Sequence, residues 1–125
     1  MNGEEAGAAK NRDLRERTKQ FALRIVRMYS ALPNSPVAWI LGKQVLRSGT
    51  SVGAHYREAS RARSTAEFVS KIEGALQELE ETRYWLELLV DAKLLPSSRL
   101  QSLLAETDEL TAILVSSAKT AKRRQ

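Results

Sequence analysis

Apolar and small side chains recur at alternating steps of four and three residues along most of this 125-residue chain. Leu14, Thr18, Phe21, Ile25, Met28 and Leu32 follow a 4-3-4-3-4 spacing. Residues so spaced line one stripe of an α-helix and no single face of a strand. A second segment repeats the pattern through Ala38, Leu41, Val45, Ser48, Val52, Tyr56 and Ala59. A third does so through Phe68, Ile72, Ala75, Leu79, Thr82, Leu86 and Leu89, and a fourth through Leu100, Leu103, Leu104, Leu110, Ile113 and Leu114. Nowhere does the chain show the period of two of a half-buried strand. Four helical stripes joined by short connections predict an all-α fold, an antiparallel up-down-up-down four-helix bundle.

The breaks between segments are chemically marked. Pro33-Asn34-Ser35-Pro36 ends the first segment, about residues 13–32. Ser64 and Glu67 have capping-box spacing and open the third segment, about 65–93, after a second one of about 37–62. Leu94-Leu95-Pro96 closes the third, and the fourth begins near Ser97 or Ser98, with Gln101 three residues beyond Ser98 as another capping candidate. The bundle is expected over 13–118. Residues 1–12 read as a flexible lead without the apolar core of a signal peptide, and 119–125 as a basic tail.

The second segment carries the most distinctive run, Arg47-Ser-Gly-Thr-Ser-Val-Gly-Ala-His-Tyr-Arg-Glu-Ala59. A glycine costs roughly 1 kcal/mol inside a helix, so a loop at 48–53 is the alternative. The apolar face keeps its phase across both glycines and no proline intervenes, which predicts one continuous helix. Gly49 and Gly53, four residues apart, would let another helix come close.

Composition narrows the chemistry. The chain has no cysteine and a single histidine, His55, so thiol catalysis and thiolate metal sites are excluded and a histidine metal site has no second ligand. His55 reads as a hydrogen-bonded structural residue. No run reaches the roughly 18 apolar residues of a membrane span. There is no phosphate-cradling glycine loop and no nucleophile elbow. The expectation is a non-enzymatic cytoplasmic protein without metal or cofactor.

Charge is distributed unevenly within a net +5. Residues 13–32 carry +3, 43–63 carry +4, 64–93 carry −4, 94–118 carry −2 and 119–125 carry +4. On a helical wheel, Lys43, Arg47, Arg57 and Arg61 share an arc of roughly 80° opposite the apolar face, with Trp39 among them. One reading is a phosphate-contacting surface, extended by the tail residues Lys119, Lys122, Arg123 and Arg124, for RNA or DNA. The other is a solvated face, or one that meets acidic side chains of another helix. The third segment supplies such acids: Glu73, Glu80, Glu87 and Asp91 on one flank. Trp85, Leu88 and Ala92 form a second apolar strip outside its core stripe, which reads as a subunit contact.

These residues carry a family resemblance. The run from Arg47 to Ala59, then Arg61-Ala-Arg-Ser64, Glu67-Phe68 and Glu81-Thr-Arg-Tyr-Trp-Leu-Glu-Leu-Leu89, resembles bacterial four-helix-bundle proteins encoded in intervening sequences of large-subunit ribosomal RNA genes. It is also similar to the accessory variability protein of diversity-generating retroelements. The resemblance spans roughly residues 13–118. It implies a homopentamer of antiparallel bundles, nucleic-acid binding, a reverse-transcriptase partner for the retroelement relatives, and no enzymatic activity. Gly49, Ser51 and Gly53 carry over as packing positions, and Arg57, Glu58, Arg61 and Glu67 as a structural charged cluster. His55 departs from the asparagine usual at its position. A protein-interaction scaffold, with its charged stripes used for self-assembly or a protein partner, is the competing expectation.

Overall fold

The computed structural model describes residues 3–124, with side chains from Gly7 onward. Four helices follow in order: α1 (Gly3–Ser30), α2 (Pro36–Ser60), α3 (Thr65–Asp91) and α4 (Ser97–Arg123). No strand occurs among the described residues.

Local chemistry sets the boundaries. Ser35 caps α2 by accepting the Ala38 N–H at 3.2 Å, with Pro36 in the first helical position, where its missing N–H costs nothing. Ser64 accepts the Glu67 N–H at 3.1 Å. The Glu67 carboxylate takes the Arg63 N–H at 3.4 Å, so this capping box closes one residue upstream of its usual partner. The Ser98–Gln101 box does not form. Helix α4 starts behind an extended Pro96 with no side-chain cap, which places Ser98 already inside the first turn. Helix α3 ends in a Schellman turn: Lys93 adopts φ 60°, its N–H bonds the Val90 carbonyl and the Leu94 N–H bonds that of Leu89.

Two boundaries differ from expectation. Helix α1 starts at Gly3, so residues 3–12 extend the first helix instead of leading into it. This stretch has no proline and is rich in alanine, which favours helix without any apolar stripe. Helix α4 runs to Arg123 and takes in most of the basic tail.

Helices α1 and α2, α2 and α3, α3 and α4, and α4 and α1 are the pairs in contact. All four contribute to one core, in which Phe21, Ile25, Val45, Val52, Ile72, Leu79, Leu86, Leu100, Leu110 and Leu114 are fully buried. Gly42 lies against Leu32 and Tyr29, Gly49 against Ile25 and Gly53 against Thr18. Residue numbers thus fall along α1 as they rise along α2. They fall along α3 in the same way, where Arg47 meets Glu81 and Glu58 meets Lys71.

Helix α2 passes unbroken through both glycines of its small-residue run, and both are buried. A Cβ on Gly49 would sit 2.7 Å from Ile25 Cγ1, closer than carbon atoms pack. The absent side chain is therefore what lets α1 and α2 approach. Four hydroxyl residues, Thr18, Ser48, Thr82 and Thr107, are buried in the interior. The Thr18, Thr82 and Thr107 hydroxyls each bond the carbonyl one turn back, and Thr82 Oγ1 also lies 2.8 Å from Ser48 Oγ on α2. These bonds remove the penalty of burying a polar group.

Candidate nucleic-acid interface

The continuous α2 rod puts Lys43, Arg47, Arg57 and Arg61 on one helix, but their surroundings separate them. Arg47 is committed to α3: its Nη2 lies 2.6 Å from Glu81 Oε2 and its Nη1 3.1 Å from Glu78 Oε2. Those carboxylates, Glu81 foremost, hold its guanidinium more firmly protonated than usual. The acids that meet the stripe are therefore Glu78 and Glu81. The Glu73–Asp91 flank partly serves other partners, with Glu73 pairing with Lys122 at 3.0 Å and Glu87 with Arg83 at 3.2 Å. Lys43 is exposed, about 27 Å along the axis from Arg61 at 1.5 Å per residue.

Arg57 and Arg61 lie at the other end, and there the chain collects its positive charge. A cavity of about 420 Å³ is lined by Leu14 from α1, Tyr56 from α2, Phe68 from α3 and Ala121 from α4, with Lys10 and Arg124 also on its walls. The start of α1, the end of α2, the start of α3 and the end of α4 therefore meet at one place. Residues 3–15, 55–73 and 115–124 hold eleven Lys and Arg against six Asp and Glu. Arg57, Arg61, Arg63, Lys119, Arg123 and Arg124 make no ion pair with a described residue, whereas Lys122 is held by Glu73. The structure thus joins Arg57 and Arg61 to Lys119, Lys122, Arg123 and Arg124, and leaves Lys43 and Arg47 outside.

Sequence reasoning missed Lys10, Arg12 and Arg63. The signal was present in the basic 43–63 and 119–125 windows, which end at the cavity where α1 and α3 begin. Treating residues 1–12 as a detached lead hid the contribution of α1.

The middle of the molecule is different in character. Arg17 forms a two-pronged pair with Glu106, at 2.9 and 2.7 Å, and reaches Glu109 at 3.0 Å. The Arg17 guanidinium holds the Glu106 carboxyl below the usual carboxylate range, against the opposing effect of burial. Arg83 pairs with Asp108 at 2.9 Å. Charges there are spent on one another, while at the end Lys71 and Lys122 are paired with Glu58 and Glu73 and the six cations named above have no described partner.

At the cavity, the Asn11 Oδ1 lies 3.0 Å from the Tyr56 hydroxyl and 2.6 Å from that of Ser60. Burial raises the Tyr56 phenol above its ordinary value, so it stays protonated. His55, expected to be hydrogen-bonded, instead packs on Gly74 with Nδ1 buried and lacking a hydrogen-bond partner, 3.9 Å from Glu58 Oε2. The absence of a Cβ at Gly74 leaves room for the ring but supplies no acceptor.

The apolar strip expected on α3 is graded. Trp85 is partly buried against the core, Leu88 is half-buried and Ala92, the C-cap, is exposed. Beside Trp85, in edge-to-face contact at 5.1 Å, Tyr84 is exposed. The start of α2 exposes Val37, Trp39 and Ile40. No described helix is long and apolar enough to cross a membrane.

The model of the 23S rRNA-intervening sequence protein family matches residues 10–116. Among solved structures, the chain is similar to a protein of unknown function from the S23 ribosomal protein family of Bacteroides thetaiotaomicron VPI-5482. The two are 39% identical and superpose with a TM-score of 0.82, over 88% of this chain and 98% of that one. No curated protein matches the chain.

Proposed function

The chain belongs to the 23S rRNA-intervening sequence protein family, and from that membership we propose that it is a non-enzymatic, oligomeric accessory that binds nucleic acid through the cationic end of an antiparallel four-helix bundle. The carrying observation is that Arg57, Arg61, Arg63, Lys119, Arg123 and Arg124 lie at one end of the bundle and pair with no carboxylate of a described side chain. Like charges brought together by a fold repel, and a phosphate backbone relieves the repulsion while releasing its own counterions. The opposite running of neighbouring helices supports the up-down-up-down topology. Catalysis finds no support in a chain with one histidine and no cysteine.

Fluorescence anisotropy with RNA and duplex DNA over a salt series tests the reading. Each phosphate neutralised contributes roughly −0.9 to the slope of log affinity against log salt on duplex DNA. Replacing Arg57, Arg61, Lys119 and Arg123 together by alanine is expected to flatten that slope and remove most binding. Lack of affinity at low salt, or indifference to those changes, overturns the reading.

Self-association is supported by the exposed Val37, Trp39, Ile40 and Tyr84, with Trp85, Leu88 and Ala92 on the neighbouring flank of α3. Apolar groups of this size at a surface mark contact sites. A homopentamer is the expected assembly. Light scattering tests it: a single-chain mass at micromolar concentration sinks the oligomer, and Trp39→Glu is expected to shift the assembly toward monomer.

A further inference from the structure

The cationic end is not a flat field of charge; it contains a hole. Its volume, about 420 Å³, lies within the roughly 300–1,000 Å³ of sites that hold small organic groups. Leu14, Tyr56, Phe68 and Ala121 give it carbon walls, two of them aromatic. Lys10 and Arg124 line it without an ion pair to any described residue. A second depression of about 370 Å³ adjoins it, sharing Phe68, Ala121 and Arg124 and adding Arg63. Apolar walls, adjacent cations and a neighbouring depression suit a ligand that is itself divided into flat apolar rings and strung anions.

Asn11, Ser60, Ser117 and Thr120 interrupt the apolar lining, and Asn11 is the one amide among them. The Asn11 amide is anchored at one edge by the Tyr56 and Ser60 hydroxyls, so it cannot swing away. Its other edge has no hydrogen-bond partner among the described residues. A fixed amide is the side chain suited to reading the donor and acceptor pattern of a base.

Resting on the cationic end as the polyanion surface, we infer that this cavity takes one unstacked base of a single-stranded nucleic acid, with Lys10, Arg63 and Arg124 holding the phosphates that flank it. A duplex keeps its bases stacked and paired, and extruding one carries an energetic cost. The end therefore binds duplex by charge alone and single strands by charge plus the pocket. Base–aromatic contacts of this kind correspond to about tenfold in affinity per base.

The test uses a single-stranded oligonucleotide carrying one 2-aminopurine, whose emission rises on unstacking, beside the same strand annealed to its complement. The intact chain is expected to raise the emission of the single strand and to bind it about tenfold more tightly than the duplex. Ala121→Trp, which fills the cavity and removes no charge, is expected to abolish both differences and leave duplex binding and its salt slope unchanged. Should that variant fail to fold, the emission change on the unaltered chain decides alone. Equal affinity for both forms with flat emission overturns the pocket and leaves the charged surface standing. Binding to neither form overturns the surface reading itself. Displacement of the oligonucleotide by equimolar adenosine monophosphate makes the ligand a free nucleotide and overturns the strand.

Discussion

Arg47 on α2 clamps two carboxylates of α3 at once, with Nη2 2.6 Å from Glu81 and Nη1 3.1 Å from Glu78. The side chain is half exposed, so water and salt screen the pair. Arg47→Ala is expected to lower stability by about 0.5 kcal/mol in a urea titration. It is expected to leave nucleic-acid affinity unaltered, in contrast to Arg61→Ala at the far end of the same helix.

Lys93 holds the left-handed conformation that ends α3, at φ 60°. A side chain there crowds its own carbonyl, and glycine does not. Lys93→Gly is expected to stabilise the chain by about 1 kcal/mol, read as a raised thermal midpoint. The Schellman hydrogen bonds of Lys93 and Leu94 do not involve the side chain, so they survive the change.

Gly49→Ala pits two effects against each other. Alanine gains roughly 1 kcal/mol of helix propensity, yet its Cβ would press on Ile25 Cγ1 at 2.7 Å. Overpacking of a buried contact costs about 1–3 kcal/mol, so a net loss of stability is expected. Gly53→Ala meets Thr18 Oγ1 at a looser 3.3 Å and is expected to be closer to neutral. Ile25→Ala removes the clashing Cγ1, so a double-mutant cycle of Gly49→Ala with Ile25→Ala is expected to show that the overpacking penalty of the alanine at 49 disappears when residue 25 is small.

The Arg17–Glu106 pair predicts an acid-sensitive contribution to stability. Because Arg17 lowers the folded-state value of Glu106, the unfolded chain takes up the proton first as pH falls. The stabilisation is present above the ordinary carboxylate value and is lost as pH drops through the lowered one. Glu106→Gln is expected to cost about 1–2 kcal/mol at pH 7. In denaturant titrations across pH, the gap between variant and parent should close in acid.

Much of the fold was legible because its periodicity is strong. The face from Ala38 to Ala59 keeps its phase across Gly49 and Gly53, and helix α2 does too. The start of α1 was not legible: Gly7, Ala8 and Lys10 are exposed there, so no stripe announces the helix. Arg47 and Arg57 illustrate the limit for the site. They share an arc on the helical wheel, and only height along the axis, opposite Glu78 and Glu81 or beyond them, decides which is neutralised. That height depends on how two helices are set against each other, which one-dimensional spacing does not carry. The residue sums by segment did carry the charge asymmetry, and lacked only the knowledge that two basic windows share an end.

The cavity among Leu14, Tyr56, Phe68 and Ala121 is built from the opening turns of the first helix and the closing turns of the last. An affinity tag or fluorophore appended to either terminus would consequently be delivered to the same pole of the molecule, shading it from above. Purification handles belong instead in the Pro33–Pro36 or Leu94–Pro96 connections, at the opposite pole, where bulk leaves the arginine-rich crown open.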